Sequence, residues 1–368
     1  MNDEQLYQVA LSLVPAVGIN DIRIILNNFG SAEAVFNKEN LKEVPNLAVE
    51  AKKAILNGSL LSAAEKELKN MRDNGIKGRF VLDEDYPYRL RDCLDAPIML
   101  YSRGINSLKA QKVIAVVGTR KATPLGKETT QLLIRDLAKH FPEILVVSGL
   151  AYGIDVISHQ SAMQYGLKTI GVLAHGLHEV YPPSHRRIAD EMVTKGGALL
   201  SEYPWGMPSL PYRFRERNRI IAGLSDVCIV IESAIDGGSI ITAKFARDYN
   251  RDVLAFPGRT VDKFSSGCND FIKQRSAALV ESADDVIREM NWISPIKRKA
   301  KQQNLFTELP AAQKMIIDVL KVGEILTIND LCIQTTLRVN EILSHMLELE
   351  MEGLTESLPG GCYRRKSF

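Results

Sequence analysis

From about residue 110 to 290 the chain alternates short apolar, β-branched runs with amphipathic helical stretches. The runs are Val113 to Val117, Ile144 to Val147, Thr169 to Leu173, Ala198 to Ser201, Val227 to Ile231 and Val253 to Phe256. A run that is apolar at every position belongs to a strand covered on both faces, and strands that alternate with helices pair mostly in parallel. The pattern predicts a Rossmann-like α/β core with a mostly parallel sheet over residues 76–290. Phe80-Val81-Leu82 and Ile98-Met99-Leu100-Tyr101 add a strand or two at its edge.

Either side of this core the period changes. Residues 1–75 carry apolar side chains at three- and four-residue spacing, with Gly- and Asn-marked turns, and read as a small helical domain. Within it Val14-Pro15-Ala16-Val17-Gly18 followed by Ile24-Ile25-Leu26 recurs as Val44-Pro45-Asn46-Leu47-Ala48 followed by Ala54-Ile55-Leu56. The first copy has the outline of a helix-hairpin-helix, in which a glycine turn lets backbone N–H groups approach a phosphate. The second has Ala48 in place of the glycine and reads as a structural hairpin. Residues 291–309, including the basic stretch Lys297 to Gln303, read as a linker. Residues 310–368 give three helical segments and then Leu354, a Pro359-Gly360-Gly361 turn and Cys362-Tyr363, the outline of a winged helix. Over 310–363 there are three cationic side chains against eight acidic ones, a net of −5, so this segment suits protein contact or spacing better than groove reading.

Composition narrows the picture modestly. With 368 residues, 45% hydrophobic and 24% charged, the chain is an ordinary globular protein of two or three domains. No apolar run is long enough to span a bilayer, so no membrane association is expected. The five cysteines are odd in number and far apart, which suggests neither a disulfide framework nor a Cys-based metal site and fits the cytoplasm.

Against a net charge of only +2, the local density of cations at Arg213, Arg215, Arg217 and Arg219 stands out. Guanidinium groups match phosphate geometry better than ammonium groups do. In an open parallel sheet, ligands bind beyond the carboxyl ends of the strands. Three further loops fall there: Gly118-Thr119-Arg120, then Ser148-Gly149-Leu150-Ala151-Tyr152-Gly153-Ile154-Asp155, and Gly237-Gly238-Ser239, which opens a helix bearing Thr242 and Lys244. None matches the dinucleotide fingerprint or the Walker phosphate loop, and no cofactor is expected. Helix-start amides, small hydroxyls, arginines and the ring of Phe214 suit a sugar-phosphate backbone and a stacked, unpaired base. A mononucleotide would satisfy the same rim. His159, His175, His178 and His185 lack ligand spacing and read as surface or packing residues, and Asp155 as a helix cap.

The strings Val147-Ser148-Gly149-Leu150-Ala151-Tyr152-Gly153-Ile154-Asp155, Gly118-Thr119-Arg120, Arg217-Asn218-Arg219-Ile220-Ile221-Ala222-Gly223-Leu224-Ser225, and Gly238-Ser239-Ile240-Ile241-Thr242-Ala243 followed by Phe256-Pro257-Gly258 resemble the bacterial DNA-processing protein A family, DprA/Smf. The helical front and winged-helix tail match that family's flanking domains. The resemblance implies a non-catalytic protein that binds and protects single-stranded DNA, forms a homodimer through its Rossmann core, and loads the RecA recombinase in natural transformation. Carried onto this chain, the family's DNA contacts fall on Gly118, Thr119, Arg120, Phe214, Arg217, Asn218 and Arg219. Arg186, after Tyr181-Pro182, sits where the family often has a basic group. With these, Gly149, Gly238, Ser239 and Lys244 complete the candidate nucleic-acid-binding set.

The chain departs from the family in places. Arg215 replaces the usual proline after the aromatic, Gly237-Gly238-Ser239 replaces Ser-Gly-Ser, and Ser276-Ala277 replaces a late Gly-Ala pair. On this reading the alternating arginines form one wall of a groove opposite Gly118-Thr119-Arg120, with Arg213 and Arg215 as local additions of unassigned contact. The alternative is an enzyme. The core also resembles, more distantly, phosphoribohydrolases with a Gly-Gly-x-Gly-Thr-x-x-Glu signature, but here Ile240 and Ile241 stand for Gly-Thr and Lys244 for the catalytic glutamate.

Overall fold

A computed structural model describes residues 3–15, 17–37, 48–104, 108–293, 310–321, 324–351, 354–358 and 360–365. Most of the linker segment and of the second hairpin copy, Val44 to Leu47, lie outside them. The chain divides into two compact units, residues 1–296 and 297–368.

The first unit is built on a nine-stranded sheet in the order β1-β2-β6-β5-β4-β3-β7-β8-β9. Its strands are β1 (Lys77–Phe80), β2 (Met99–Gly104), β3 (Val113–Val117), β4 (Leu145–Ser148), β5 (Thr169–Val172), β6 (Ala198–Ser201), β7 (Val227–Val230), β8 (Asp252–Ala255) and β9 (Ala278–Leu279). From β6 across to β9 all neighbours are parallel, whereas β1 and β2 form an antiparallel edge. The predicted core strands are all present, within a residue or so at their ends. The two-residue β9 lies beyond the sequence expectation.

The apolar runs serve two cores at once. Val113, Ala115 and Val117 of β3 point into one cluster, and Ile114 and Val116 into another; β7 and β8 split in the same alternating way. Side chains alternate across a strand, so a run without polar positions requires cover on both faces. One face is covered by the helices Pro124–His140 and Ala283–Glu289, the other by Pro211–Leu224 and Gly238–Asp248. The N-terminal helices join the core that holds Val113, Ala115 and Val117 and that runs from Val9, Leu11 and Ile22 to Leu100 and Tyr101. A buried glutamate strengthens the join, since the Trp205 amide donates to Glu67 at 2.9 Å.

At the helix-hairpin-helix turn, Gly18 caps the helix Ile19–Phe29, and its N–H donates to the Asp21 carboxylate at 2.9 Å. The amide that the sequence offered to a phosphate is already taken by an acid of the same helix. The second unit has helices Ala311–Val319, Ile328–Thr335 and Val339–Met351, with a small sheet of β10 (Ile325–Thr327), β12 (Cys362–Arg365) and β11 (Thr355–Leu358), in that order. This is the winged-helix outline.

Chain order in the main sheet reverses at β3. From β3 the chain proceeds outward through β4, β5 and β6, then crosses back by the helix Pro211–Leu224 to place β7 on the other side of β3. Loops diverge at such a switch point and leave a crevice outside the strand carboxyl ends.

Beneath that edge lies His159, fully buried, with Nδ1 2.6 Å from the Thr169 hydroxyl and with Nε2 lacking a partner among the described residues. Burial, with Arg217 and His185 nearby, pushes its pKa down to about 3 from the ordinary 6.5. The folded protein therefore refuses a proton that the unfolded chain accepts. His159's contribution is complete above pH 6.5 and declines as the pH falls towards about 3. The slope is about 1.4 kcal/mol per pH unit. Urea unfolding at neutral pH and near pH ~5 is expected to show wild type losing about 2 kcal/mol more than His159→Gln over that interval. Parallel losses in the two proteins would refute this assignment.

Candidate functional site

The crevice at the switch point is a cleft of about 560 Å³, within the range of ligand sites. It gathers the loop after β3 (Gly118, Thr119, Arg120), the turn after β7 (Ser233 to Ser239) and one face of the crossover helix: Pro211, Phe214, Arg215, Asn218 and Ile221. These helix positions recur at three- and four-residue spacing, so a single stripe faces the opening. Tyr181, Lys263 and Phe264 complete the rim, and Asp155 and Arg217 its floor.

The outer wall is aromatic and cationic. The exposed Arg120 guanidinium lies 5.9 Å from the Phe214 ring centroid, and the Tyr181 ring is 5.3 Å from Phe214. Arginine over an aromatic face is an attractive arrangement that also holds the ring in place. Arg215 and Lys263 are exposed at the same opening. Asn218 pins the two sides together, its amide donating to the Gly238 carbonyl at 3.2 Å.

The alternating arginines do not form one wall. A period of two keeps side chains on one face of a strand, but on a helix it distributes them around the axis, and residues 211–224 are helical. Arg213 lies over the rings of Tyr203 and Tyr212 and donates to the Pro208 carbonyl. Only Arg215 projects into the opening as an exposed cation. Arg217 is 4% exposed and donates to the carbonyls of Gly149 and Val172, at the ends of β4 and β5. Burial, opposed chiefly by Asp155, pushes its pKa down to about 10, which leaves it charged at neutral pH. Arg219 turns away from the cleft to a salt bridge with Glu202 and the Asp95 carbonyl.

Other sequence candidates separate in the same way. Gly149 is outside the cleft, and a Cβ there would meet the Arg217 guanidinium at 2.6 Å and Asp155 at 2.8 Å, so its bareness makes room for that charged pair. Gly118 does line the cleft; a Cβ on it would meet Ile154 at 2.5 Å and the Ile231 carbonyl at 2.7 Å. Gly238 borders the opening without obstruction, and the Ser239 hydroxyl donates to Ser233 at 2.7 Å. Arg186 and Lys244 are exposed but stand outside the cleft lining. Tyr181, Lys263 and Phe264 were absent from the sequence set. Lys263 and Phe264 sit in the short 3-10 turn Lys263–Ser265, which carries no periodic signal.

Helix starts around the cleft differ in how their amides are used. The helix Pro124–His140 begins at Thr123, whose hydroxyl accepts from Gly126 N–H at 3.1 Å, and the Glu232 carboxylate accepts from both the Thr123 hydroxyl and its N–H. The Asp155 carboxylate accepts from the amides of Gly149 and Ala151 in the loop ahead of Ile154–Gln164, and burial raises its pKa against the pull of Arg217. The helix itself receives no side-chain cap bond, so Asp155 braces the loop before it and is not the helix cap that its position suggested. The helix Gly238–Asp248 carries no side-chain cap, and its first turn borders the cleft. The histidines pack inward: His175 and His185 are buried, with Nδ1 against the carbonyls of Gly176 and Leu150. Among the described residues no cluster of His, Cys, Asp and Glu could hold a metal ion, and no helix is long and apolar enough to cross a membrane.

Comparison with known proteins gives a consistent family. The family described as DNA recombination-mediator protein A matches residues 78–291, and the DprA winged helix domain matches residues 301–361. The DNA processing protein DprA of Streptococcus pneumoniae is 41% identical over 213 residues, 58% of this chain and 73% of the relative. Protein Smf of Escherichia coli is 32% identical over 289 residues, 76% of this chain and 75% of the relative. The solved structure of the Streptococcus pneumoniae protein superposes with a TM-score of 0.64 at 30% identity, covering 78% of this chain and 98% of that one. That of Helicobacter pylori DNA processing protein A, a single-stranded DNA binder, gives 0.53 at 28% identity, covering 59% and 95%. With its motifs, sheet topology and winged-helix unit all in agreement, the chain belongs to the DNA recombination-mediator protein A family, the DprA/Smf proteins.

Proposed function

We propose that this protein binds single-stranded DNA, without catalysis, in the cleft at the β3–β7 switch point. The observation that carries the reading is the Arg120–Phe214–Tyr181 wall: an exposed guanidinium and two rings at the mouth of a cleft. Such a wall offers a π-face for an unpaired base and a cation for its phosphate, a combination that duplex DNA, with its bases paired and stacked, does not exploit. The uncapped start of Gly238–Asp248 adds amide donors suited to a phosphate. The Helicobacter pylori relative, which binds single-stranded DNA, supports the same assignment.

Family membership extends the proposal to protection of incoming DNA, loading of RecA during transformation and recombination, homodimerisation through the sheet core and action in the cytoplasm. Those steps rest on the family resemblance. The phosphoribohydrolase alternative gains nothing from the cleft, since Lys244 occupies the glutamate position of that signature and lies outside the lining. Release of free base from nucleoside monophosphates by the pure protein would restore it.

Gel shifts with single- and double-stranded DNA across a salt series test the proposal. Single strands should bind more tightly, and their affinity should fall with salt by about 0.7 log units per log unit of salt for each phosphate neutralised. Arg120→Ala should flatten that slope by about 0.7 as one contact is lost. Phe214→Ala should cost about 1–3 kcal/mol of binding with the slope nearly unchanged, because stacking releases no counterions. Salt-independent affinity in wild type would overturn the assignment, and equal slope changes in both variants would remove the stacking role.

Arg219 provides the contrasting case. Its loss leaves the Glu202 carboxylate buried without its cation, a defect worth about 3 kcal/mol of folding stability. Arg219→Ala should therefore lower the urea midpoint while the folded protein keeps the wild-type salt slope. A flattened slope at unchanged stability would make Arg219 a phosphate contact after all.

A further inference from the structure

Asp236 is out of keeping with a cleft built for phosphate. It is exposed, lines the opening, and has no hydrogen-bond or ion-pair partner among the described residues. The other cleft-lining carboxylate, Asp155, is committed to backbone amides and to Arg217. Asp236 does not serve its neighbouring helix either, since the start of Gly238–Asp248 receives no side-chain cap bond.

Its mounting is rigid. Residues 234–237 form a turn closed by Gly237 N–H to the Ala234 carbonyl at 2.9 Å. Gly267 N–H donates to the Ser233 carbonyl at 2.8 Å from outside, and a Cβ on Gly267 would meet the Ala234 carbonyl at 2.4 Å. Asn218, one helical turn after Phe214, bonds to Gly238, two residues after Asp236. The turn is therefore tied to the helix segment that presents the aromatic ring.

A carboxylate repels phosphate and accepts hydrogen bonds. Asp236 lines the same opening as Arg120, Arg215, Lys263 and Phe214, so the cations are the partners for the strand's phosphates and Asp236 is a partner for the edge of a base. We propose that Asp236 selects the base in this cleft, favouring one that presents adjacent N–H donors. Guanine does so with N1–H and its 2-amino group, which a carboxylate can engage at two points; thymine offers a single N–H. The inference rests on the cleft being the single-stranded DNA site.

The test measures fluorescence anisotropy with an oligothymidylate and with the same strand carrying isolated deoxyguanosine or deoxyinosine substitutions. EDTA in the buffer removes contacts bridged by a divalent cation. Wild type should bind the deoxyguanosine strand about tenfold more tightly than oligothymidylate, the scale of one good two-point base contact. Deoxyinosine lacks the 2-amino group but keeps a purine ring, and should recover only part of the gain. Asp236→Asn, at an exposed position, should melt like wild type, bind oligothymidylate at least as well and lose the deoxyguanosine preference. Equal affinities for all strands in wild type, equal gains from guanine and inosine, or a preference that survives in Asp236→Asn would each overturn the inference and leave the proposed function standing. Failure of wild type to bind any of the strands would instead overturn the proposed function.

Discussion

The cleft depends on one buried cation. Moving an arginine out of water costs several kcal/mol unless its donors are satisfied, and Arg217 satisfies its own by bonding to the carbonyls of Gly149 and Val172, with Asp155 close by. Those carbonyls end neighbouring parallel strands. A single guanidinium thus ties β4 and β5 to the crossover helix that bridges the switch point. Phe214 lies one turn before Arg217 on that helix and Asn218 directly after it, so the ring and the pin to Gly238 take their places from the same anchor. Gly149 belongs to this anchor, because any side chain there would displace the pair.

The surrounding electrostatics follow from how the chain uses its acids. Around the carboxyl edge of the sheet, Asp155 occupies the loop amides of Gly149 and Ala151, and Glu232 fills a helix start that would otherwise attract anions. In the N-terminal hairpin Asp21 does the same for the helix after Gly18. Glu202 neutralises Arg219. What remains free at the opening is a small set of cations, Arg120, Arg215 and Lys263, beside two rings and an uncapped helix start. The anion-attracting surface is narrower than the arginine content of the segment implied, and more directional.

Much of this was legible in the sequence because the physics was local. Strands such as Val113 to Val117, apolar at every position, could only be covered on both faces, and the Gly118-Thr119-Arg120 loop after the first of them had to fall at the ligand edge. The arginines were misjudged as a wall because a period of two has different meanings on a strand and on a helix. Their individual fates were set by distant residues: Glu202 and Asp95 for Arg219, Val172 and Gly149 for Arg217. Tyr181 and the Lys263-Phe264 pair join the rim through tertiary packing alone, and β9, two residues long, was too short for any periodicity to register.

In the proposed complex an unpaired base meets the aromatic wall at the β3–β7 switch point. Photocrosslinking of a bromodeoxyuridine-substituted single strand, followed by mass spectrometry of the crosslinked peptides, locates that base. Crosslinks are expected on the peptides carrying Phe214 and Tyr181, diminished in Phe214→Ala. Crosslinks confined to the winged-helix unit or to the N-terminal hairpin would contradict that placement.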